Sequence, residues 1–186
     1  MIIRLADCPL QPWKNGLGRT REIAVEPSAS GTGDFLWRVS IAEVDSAAPF
    51  SCFADIDRYI VLLDGAGFTM TLDDSRTHAL TTPFVPFAFP GEAKVDVALA
   101  AGATRDFNLM VRRNDARGEV RALHGATTYT PDPAVALLFC ARGEVATVAG
   151  RLGAGDAWRP TRSANQPVML GEGAVALVVR VEPRSR

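Results

Sequence analysis

The sequence predicts an all-β chain. Apolar residues recur at period two in many short windows, and clusters of Gly, Pro and Asp separate those windows. No window of 11 or more residues holds an i, i+3, i+4, i+7 apolar stripe free of Gly or Pro, so helical periodicity is missing. Taken in order, Ile2 and Ile3 open a strand near 2–5, and REIAVE alternates over 21–26. FLWRVSIAEV (35–44) sets Trp37, Val39 and Ile41 on one face and Arg38, Ser40 and Ala42 on the other. A strongly apolar strand at 57–63 is entered through Asp57-Arg58, and a Gly-containing turn hands it to 67–72. KVDVAL alternates over 94–99. DFNLMVRR (106–113) puts Phe107, Leu109 and Val111 on one face and Asn108, Met110 and Arg112 on the other. Further strands fall at 119–124, 134–140, 144–149, 168–170 and 174–182. So many short strands predict a sandwich, jelly roll or barrel.

The chain has 186 residues, enough for one sizeable domain or two small ones, and 47% of them are hydrophobic, enough to bury a core. Twenty basic against 21 acidic residues give a net charge of -1 with no basic block, which argues against nucleic acid and anionic membranes as partners. MIIRLADCPL has a two-residue apolar start followed by charges and does not read as a signal peptide. No run approaches the roughly 18 apolar residues of a spanning helix. Cys8, Cys52 and Cys140 are odd in number and far apart, as expected of a reduced, cytoplasmic chain.

Two pairs of segments look alike. RYIVLLDGAGFTMTL (58–72) has the layout of ALLFCARGEVATVAG (136–150), with Gly65 against Gly143. LAAGATRDFNLMVRR (99–113) is similar to LGEGAVALVVRVE (170–182), with Gly102 against Gly173. Two related β halves are one reading of this; the other, plainer one is that any two hairpins look alike.

Several chemistries are disfavoured. The two histidines, His78 and His124, have no second histidine, cysteine or well-placed carboxylate nearby, so a histidine-based metal site is not expected. Ser40 and Ser51 are nucleophile candidates only beside a distant base. In WKNGLGRTREI (13–23), Gly16 and Gly18 lie one residue apart and a strand follows, so this is no P-loop; Asn15-Gly16 reads as a tight turn. The arginines of the two alternating strands leave two readings open. If their faces line an interior, Arg38 and Arg112 converge on an anion, because a guanidinium offers a rigid two-pronged donor to a carboxylate; if they face solvent, they are ordinary exposed arginines.

Four stretches together resemble the HutD/Ves family, whose members are bicupins: WKNGLGRTREI (13–23), FLWRVSIAEV (35–44), PFSCFADIDRYIVLLDGAGFTM (49–70) and RDFNLMVRR (105–113). The resemblance covers most of the first 113 residues in the family's order and is weaker beyond residue 115. It implies two jelly-roll, cupin-like barrels, 1–114 carrying the motifs and 115–186 forming the second half. It further implies a ligand site drawn from Trp13, Lys14, Asn15, Thr20 and Glu22; Trp37, Arg38 and Ser40; Ser51, Phe53, Asp57 and Arg58; and Asn108, Met110 and Arg112. Leu17 stands where the family's opening motif usually has the middle glycine of Asn-Gly-Gly-Gly.

HutD-like members are associated with bacterial histidine utilisation in an auxiliary or regulatory role, and Ves-like members with stress and cold response. The resulting expectation is a cytoplasmic, metal-independent and cofactor-free bicupin that binds a small anionic metabolite such as a carboxylate. Two alternatives stand beside it. One is a hydrolase or isomerase using Glu22 or Asp57 as general base. The other is a stress-response protein acting through a protein partner, and a homodimer fits either case.

Overall fold

The structure, a computed structural model, describes residues 1–13, 16–28, 35–161 and 166–184. Among these residues it contains strands and a single 3-10 turn (Leu5–Asp7), and no helix is long and apolar enough to cross a membrane. The strands in chain order are β1 (Ile2–Ile3), β2 (Leu10–Pro12), β3 (Gly18–Glu26), β4 (Trp37–Val44), β5 (Ile56–Asp64), β6 (Phe68–Leu72), β7 (Arg76–Leu80), β8 (Phe87–Pro90), β9 (Val95–Leu99) and β10 (Thr104–Arg112). They continue as β11 (Ala116–His124), β12 (Thr127–Tyr129), β13 (Val135–Arg142), β14 (Glu144–Thr147), β15 (Gly150–Gly153), β16 (Ala157–Trp158), β17 (Val168–Leu170) and β18 (Val175–Pro183). Every strand expected from alternation is present. Those unforeseen are two to five residues long (β2, β7, β8, β12, β15 and β16), too short for period two to register.

The chain divides into two compact units, one of Pro9–Ala116 and one of Met1–Cys8 with Arg117–Arg186. In the first, a six-stranded sheet ordered β2-β3-β4-β10-β5-β8 is complemented by a three-stranded sheet ordered β7-β6-β9. Their apolar faces build one core: Val44, Ile60 and Leu62 from the large sheet meet Phe68, Met70, Leu72, Val95 and Val97 from the small one. Each such fully buried side chain contributes roughly 1.5–3 kcal/mol.

In the second unit the sheets are β1-β16-β13-β18-β11 and β12-β17-β14-β15. Here β18 pairs β13 as β10 pairs β5, and β14 joins β15 and β17 as β6 joins β7 and β9. Strands β13 to β18 therefore repeat the order of β5 to β10, and Gly143 turns β13 into β14 at φ 74° as Gly65 turns β5 at φ 91°. Both turns need a backbone that only glycine adopts without strain. The core of this unit is closed by Trp158, Leu138, Val145, Leu152 and Val178, with Trp158 2% exposed.

Gly67 has φ +76°, and a Cβ there would run into the Leu80 carbonyl; Gly102 has φ +63° but opens on free space. Gly67→Ala is expected to cost about 2–4 kcal/mol, for strain plus displacement, and Gly102→Ala about 1 kcal/mol, for strain alone. Urea denaturation of both variants checks this, and equal costs would contradict the close approach.

Candidate functional site

Register brings the second faces of four neighbouring strands into rows. Asn108 of β10 lies opposite Ser40 of β4 and Ile60 of β5; Met110 lies between Arg38 and Arg58; Asp106 lies between Ala42 and Leu62. On β4, Ser40 and Ala42 pair with Glu22 and Thr20 of β3. Alternation then sends all of these inner-row side chains to one side of the large sheet. That face is apolar where it joins the core and becomes polar along Arg58, Asn108, Ser40 and Arg38. Irregular register in the β5–β10 pairing beside Asp106, where Leu63 of β5 is the extra residue, and in β3 between Glu22 and Ala24 breaks the ladder beside this region.

Over the polar part opens a cavity of about 470 Å³. Its floor is Thr20, Arg38, Ser40, Arg58, Asp106, Asn108 and Met110; Gln11, Pro12 and Trp13 form one side, and Pro49, Phe50, Ser51 and Phe53 another. Trp13 is set by its own loop. Its indole Nε1 donates to Thr20 Oγ1 at 2.7 Å, and its ring lies on Gly18, where a Cβ would stand 2.8 Å from the indole and 2.6 Å from the Glu43 carbonyl. Trp13, Gly16 and Gly18 thus make both a turn and a wall: Trp13 N donates to the Gly18 carbonyl, Gly16 N donates to the Trp13 carbonyl, and Gly16 takes φ +70°.

Arg58 is 6% exposed. Its guanidinium carbon lies 4.9 Å from the Phe89 ring centroid, 5.1 Å from Phe50 and 5.6 Å from Phe53. Such cation–ring contacts offset part of the cost of removing the charge from water. Nη1 donates to the Ser51 carbonyl and Nη2 to Asn108 Oδ1, both at 3.3 Å, while Nε has no partner among the described residues. Burial pulls its pKa down to about 10, with Asp106 acting in the opposite sense, so the guanidinium stays charged at neutral pH.

Asn108 links this cation to Asp106: its Nδ2 donates to Asp106 Oδ1 at 2.8 Å, and Asp106 Oδ2 has no partner among the described residues. Asp106 is 0% exposed, and burial raises its carboxyl to about 7 against the lowering effects of Asn108 and Arg58. Arg38 reaches the same cavity from β4. Its Nε donates to Glu22 Oε2 at 2.9 Å, and among the described residues neither Nη has a protein partner.

Trp13, Thr20, Arg38, Ser40, Ser51, Phe53, Arg58, Asn108 and Met110 therefore meet around one space. Lys14 and Asn15 lie outside the described residues. Four expected residues stand elsewhere. Asp57 precedes Arg58 on a strand and so points the other way, where Arg113 Nε donates to it at 2.6 Å and Glu92 completes the cluster. Trp37 is buried on the face opposite Arg38. Arg112 shares the parity of Asn108 but ends its strand, and its Nε donates to the Phe35 carbonyl. Glu22 holds Arg38 and is not itself part of the wall. Sequence reasoning passed over Asp106, although parity with Asn108 and Met110 marks it as facing the same way.

Metal does not fit this cavity. Among the described residues Asp106 is the one carboxylate in its wall and no histidine or cysteine lines it, and Arg58 and Arg38 repel a cation. Among the described residues no group of three His, Cys, Asp or Glu is placed to hold an ion. His78 lies on β7, stacked on Phe87 with ring centroids 3.6 Å apart.

The fold is all-β and cupin-like. It matches a variant of Bacillus subtilis oxalate decarboxylase with a TM-score of 0.62 at 9% identity, over 97% of this chain and 76% of that one, a likeness of fold alone. The HutD family model matches residues 5–177, and the chain belongs to that family. It is similar to HutD from Pseudomonas fluorescens SBW25, whose structure is of a formate condition: TM-score 0.87, 30% identity, covering 100% of this chain and 99% of that one. An uncharacterised 21.2 kDa protein from the hutC 3′ region of Pseudomonas putida is 38% identical over 81% of this chain and 78% of its own length. Protein Ves of Escherichia fergusonii is 40% identical over 61% of this chain and 58% of its own length.

A carboxyl whose folded pKa is raised is stabilised as the acid, so it weakens the fold as pH climbs from the unfolded value toward the folded one. Asp106→Asn removes that loss. The variant is expected to match the parent near pH 4 and to exceed it by up to about 4 kcal/mol above pH 7. Urea denaturation across that range measures the gap, and a gap of opposite sign would mean Asp106 is held as an anion.

Proposed function

We propose that the protein binds a small carboxylate-bearing metabolite in the cavity of its Pro9–Ala116 unit and serves histidine utilisation in an auxiliary or regulatory role. The carrying observation is the pair Arg58 and Arg38 in the wall of one aromatic-sided cavity: one cation is buried under three phenyl rings, and the other presents its Nη nitrogens without a protein partner among the described residues. Guanidinium donors in a partly dry site recognise carboxylates strongly and directionally. Thr20, Ser40 and Asn108 add hydrogen-bonding groups, and Trp13, Phe53 and Met110 shape the space. The hutC-region and HutD names of the relatives support the histidine-utilisation setting. A reducing, cytoplasmic setting agrees with three cysteines outside any disulfide.

Catalysis is the second reading. Glu22 and Asp57, the bases expected from sequence, are engaged by Arg38 and Arg113. Asp106 supports this reading instead, because a carboxyl near pKa 7 suits proton transfer. Proton NMR of each candidate metabolite incubated with the protein decides it, since product accumulation marks an enzyme. A partner-binding stress role would gain support from exposed aromatics around LGAGDAWRP (152–160), where Trp158 is buried instead, and the homodimer is a proposal for size-exclusion measurement.

Thermal unfolding with urocanate, formiminoglutamate, formylglutamate, formate and unrelated dicarboxylates tests the binding reading. A ligand at a hundred times its dissociation constant adds about 2.7 kcal/mol. That corresponds to several degrees in Tm, at roughly 2–4 °C per kcal/mol for a chain of this size. Arg38→Ala, at a position whose side chain is 24% exposed, is expected to stay folded and lose most of the shift. No shift with any anion in the folded parent would remove the reading.

A further inference from the structure

Asp106 is a carboxyl without an ion pair, enclosed at the floor of a cavity that otherwise gathers positive charge. Its neighbours in register are Ala42 and Leu62, whose side chains offer no hydrogen bond, and among the described residues its side-chain partner is the Asn108 amide, on one oxygen. The same amide accepts from Arg58 on its other end, so the carboxyl and the guanidinium are held apart by one side chain rather than joined. We propose that the cavity takes up its anion together with one proton, held by Asp106, so that anion affinity falls when that carboxyl ionises. The proposal rests on the anion-binding reading and adds its regulation.

The electrostatics follow from the charges present. Facing this floor are Arg58 from β5 and Arg38 from β4, with Glu22 of β3 on the far side of Arg38 and the Cys52 thiol near Arg58. From the small sheet, β6 and β9 pack apolar side chains such as Met70 and Val97 against this core, and the titratable His78 of β7 stacks on Phe87 at its edge. With Asp106 ionised, its charge offsets that of Arg58, and an arriving carboxylate meets a neutral end of the cavity. With Asp106 protonated, Arg58 keeps its full charge for the ligand. Two anions beside one buried guanidinium raise each other's proton affinity, so the bound state favours the acid. Burial already lifts this carboxyl to about 7, which puts the linkage within the neutral range. Asp106 acts here through Asn108 and Arg58, as a positioning residue for charge rather than a ligand contact.

Calorimetric titration of the full chain with urocanate and with formate, in two buffers of different ionisation enthalpy, tests this. The expected result is a buffer-dependent heat near pH 8, equivalent to uptake of up to about one proton, that vanishes near pH 5.5. The dissociation constant should rise about tenfold between pH 7 and pH 8.5, the limit being tenfold per pH unit above the carboxyl pKa. Asp106→Asn, which imitates the neutral acid, is expected to bind with no proton uptake and with a flat profile over the same range. Binding without proton uptake by the parent chain overturns the proposal, and so does proton uptake that persists in Asp106→Asn. The parent measurement needs no variant, so misfolding of Asp106→Asn leaves the test intact. Absence of binding by either carboxylate at every pH overturns the anion-binding reading itself, a different failure.

Discussion

Much of the Pro9–Ala116 unit is arranged around the burial of one charge. A guanidinium removed from water costs several kcal/mol unless its donors and its charge are met by other means. Arg58 is met by three phenyl rings, a backbone carbonyl and the Asn108 amide, all at distances that leave its donors only partly used. The 49–53 segment supplies two of those rings and the carbonyl, so the loop that closes over the cavity is the loop that holds the cation. On the anion-binding reading proposed above, binding capacity and fold stability are coupled at this residue.

The two sheets of that unit divide the labour. The small sheet contributes an apolar face and completes the core, while the inner face of the large sheet changes from Leu62 and Ile60 to Arg58 and Asn108 along its strands. Polar residues at these positions would be destabilising in an ordinary sandwich, where the inner face is apolar throughout. Here they end the core early and leave space above them. Arg38 is the less costly of the two arginines, because it is partly solvated and Glu22 fixes its orientation without occupying the whole fork. Arg113, Glu92 and Asp57 form a separate cluster outside the cavity that ties β5 to the 90–92 turn, and strong hydrogen bonding there pulls the Glu92 carboxyl down to about 2.

The repeat between the units explains why they share strand order without sharing a site. Gly65 and Gly143 preserve the turn, and the strands around them preserve the pairing. The inner positions differ: where β10 carries Asp106, Asn108 and Met110, β18 runs Val175 to Val179 as buried aliphatic and alanine residues. Side-chain identity on one face, rather than backbone topology, separates a pocket from a packed core.

What the sequence by itself determined is the all-β class, the longer strands and the two faces of each, because alternation is a local property carried by adjacent residues. It also carried the family motifs, in which Trp13, Arg38, Arg58 and Asn108 already stand together as residue types. What only tertiary structure decided is which faces meet. Register aligned Arg58, Met110 and Arg38 in one row, sent Asp57 and Trp37 to the opposite side, and let Arg112 fold onto the backbone at a strand end. The role of Asp106 was invisible for the same reason: its proton affinity comes from being enclosed between Ala42 and Leu62, and enclosure is a property of strands far apart in the chain.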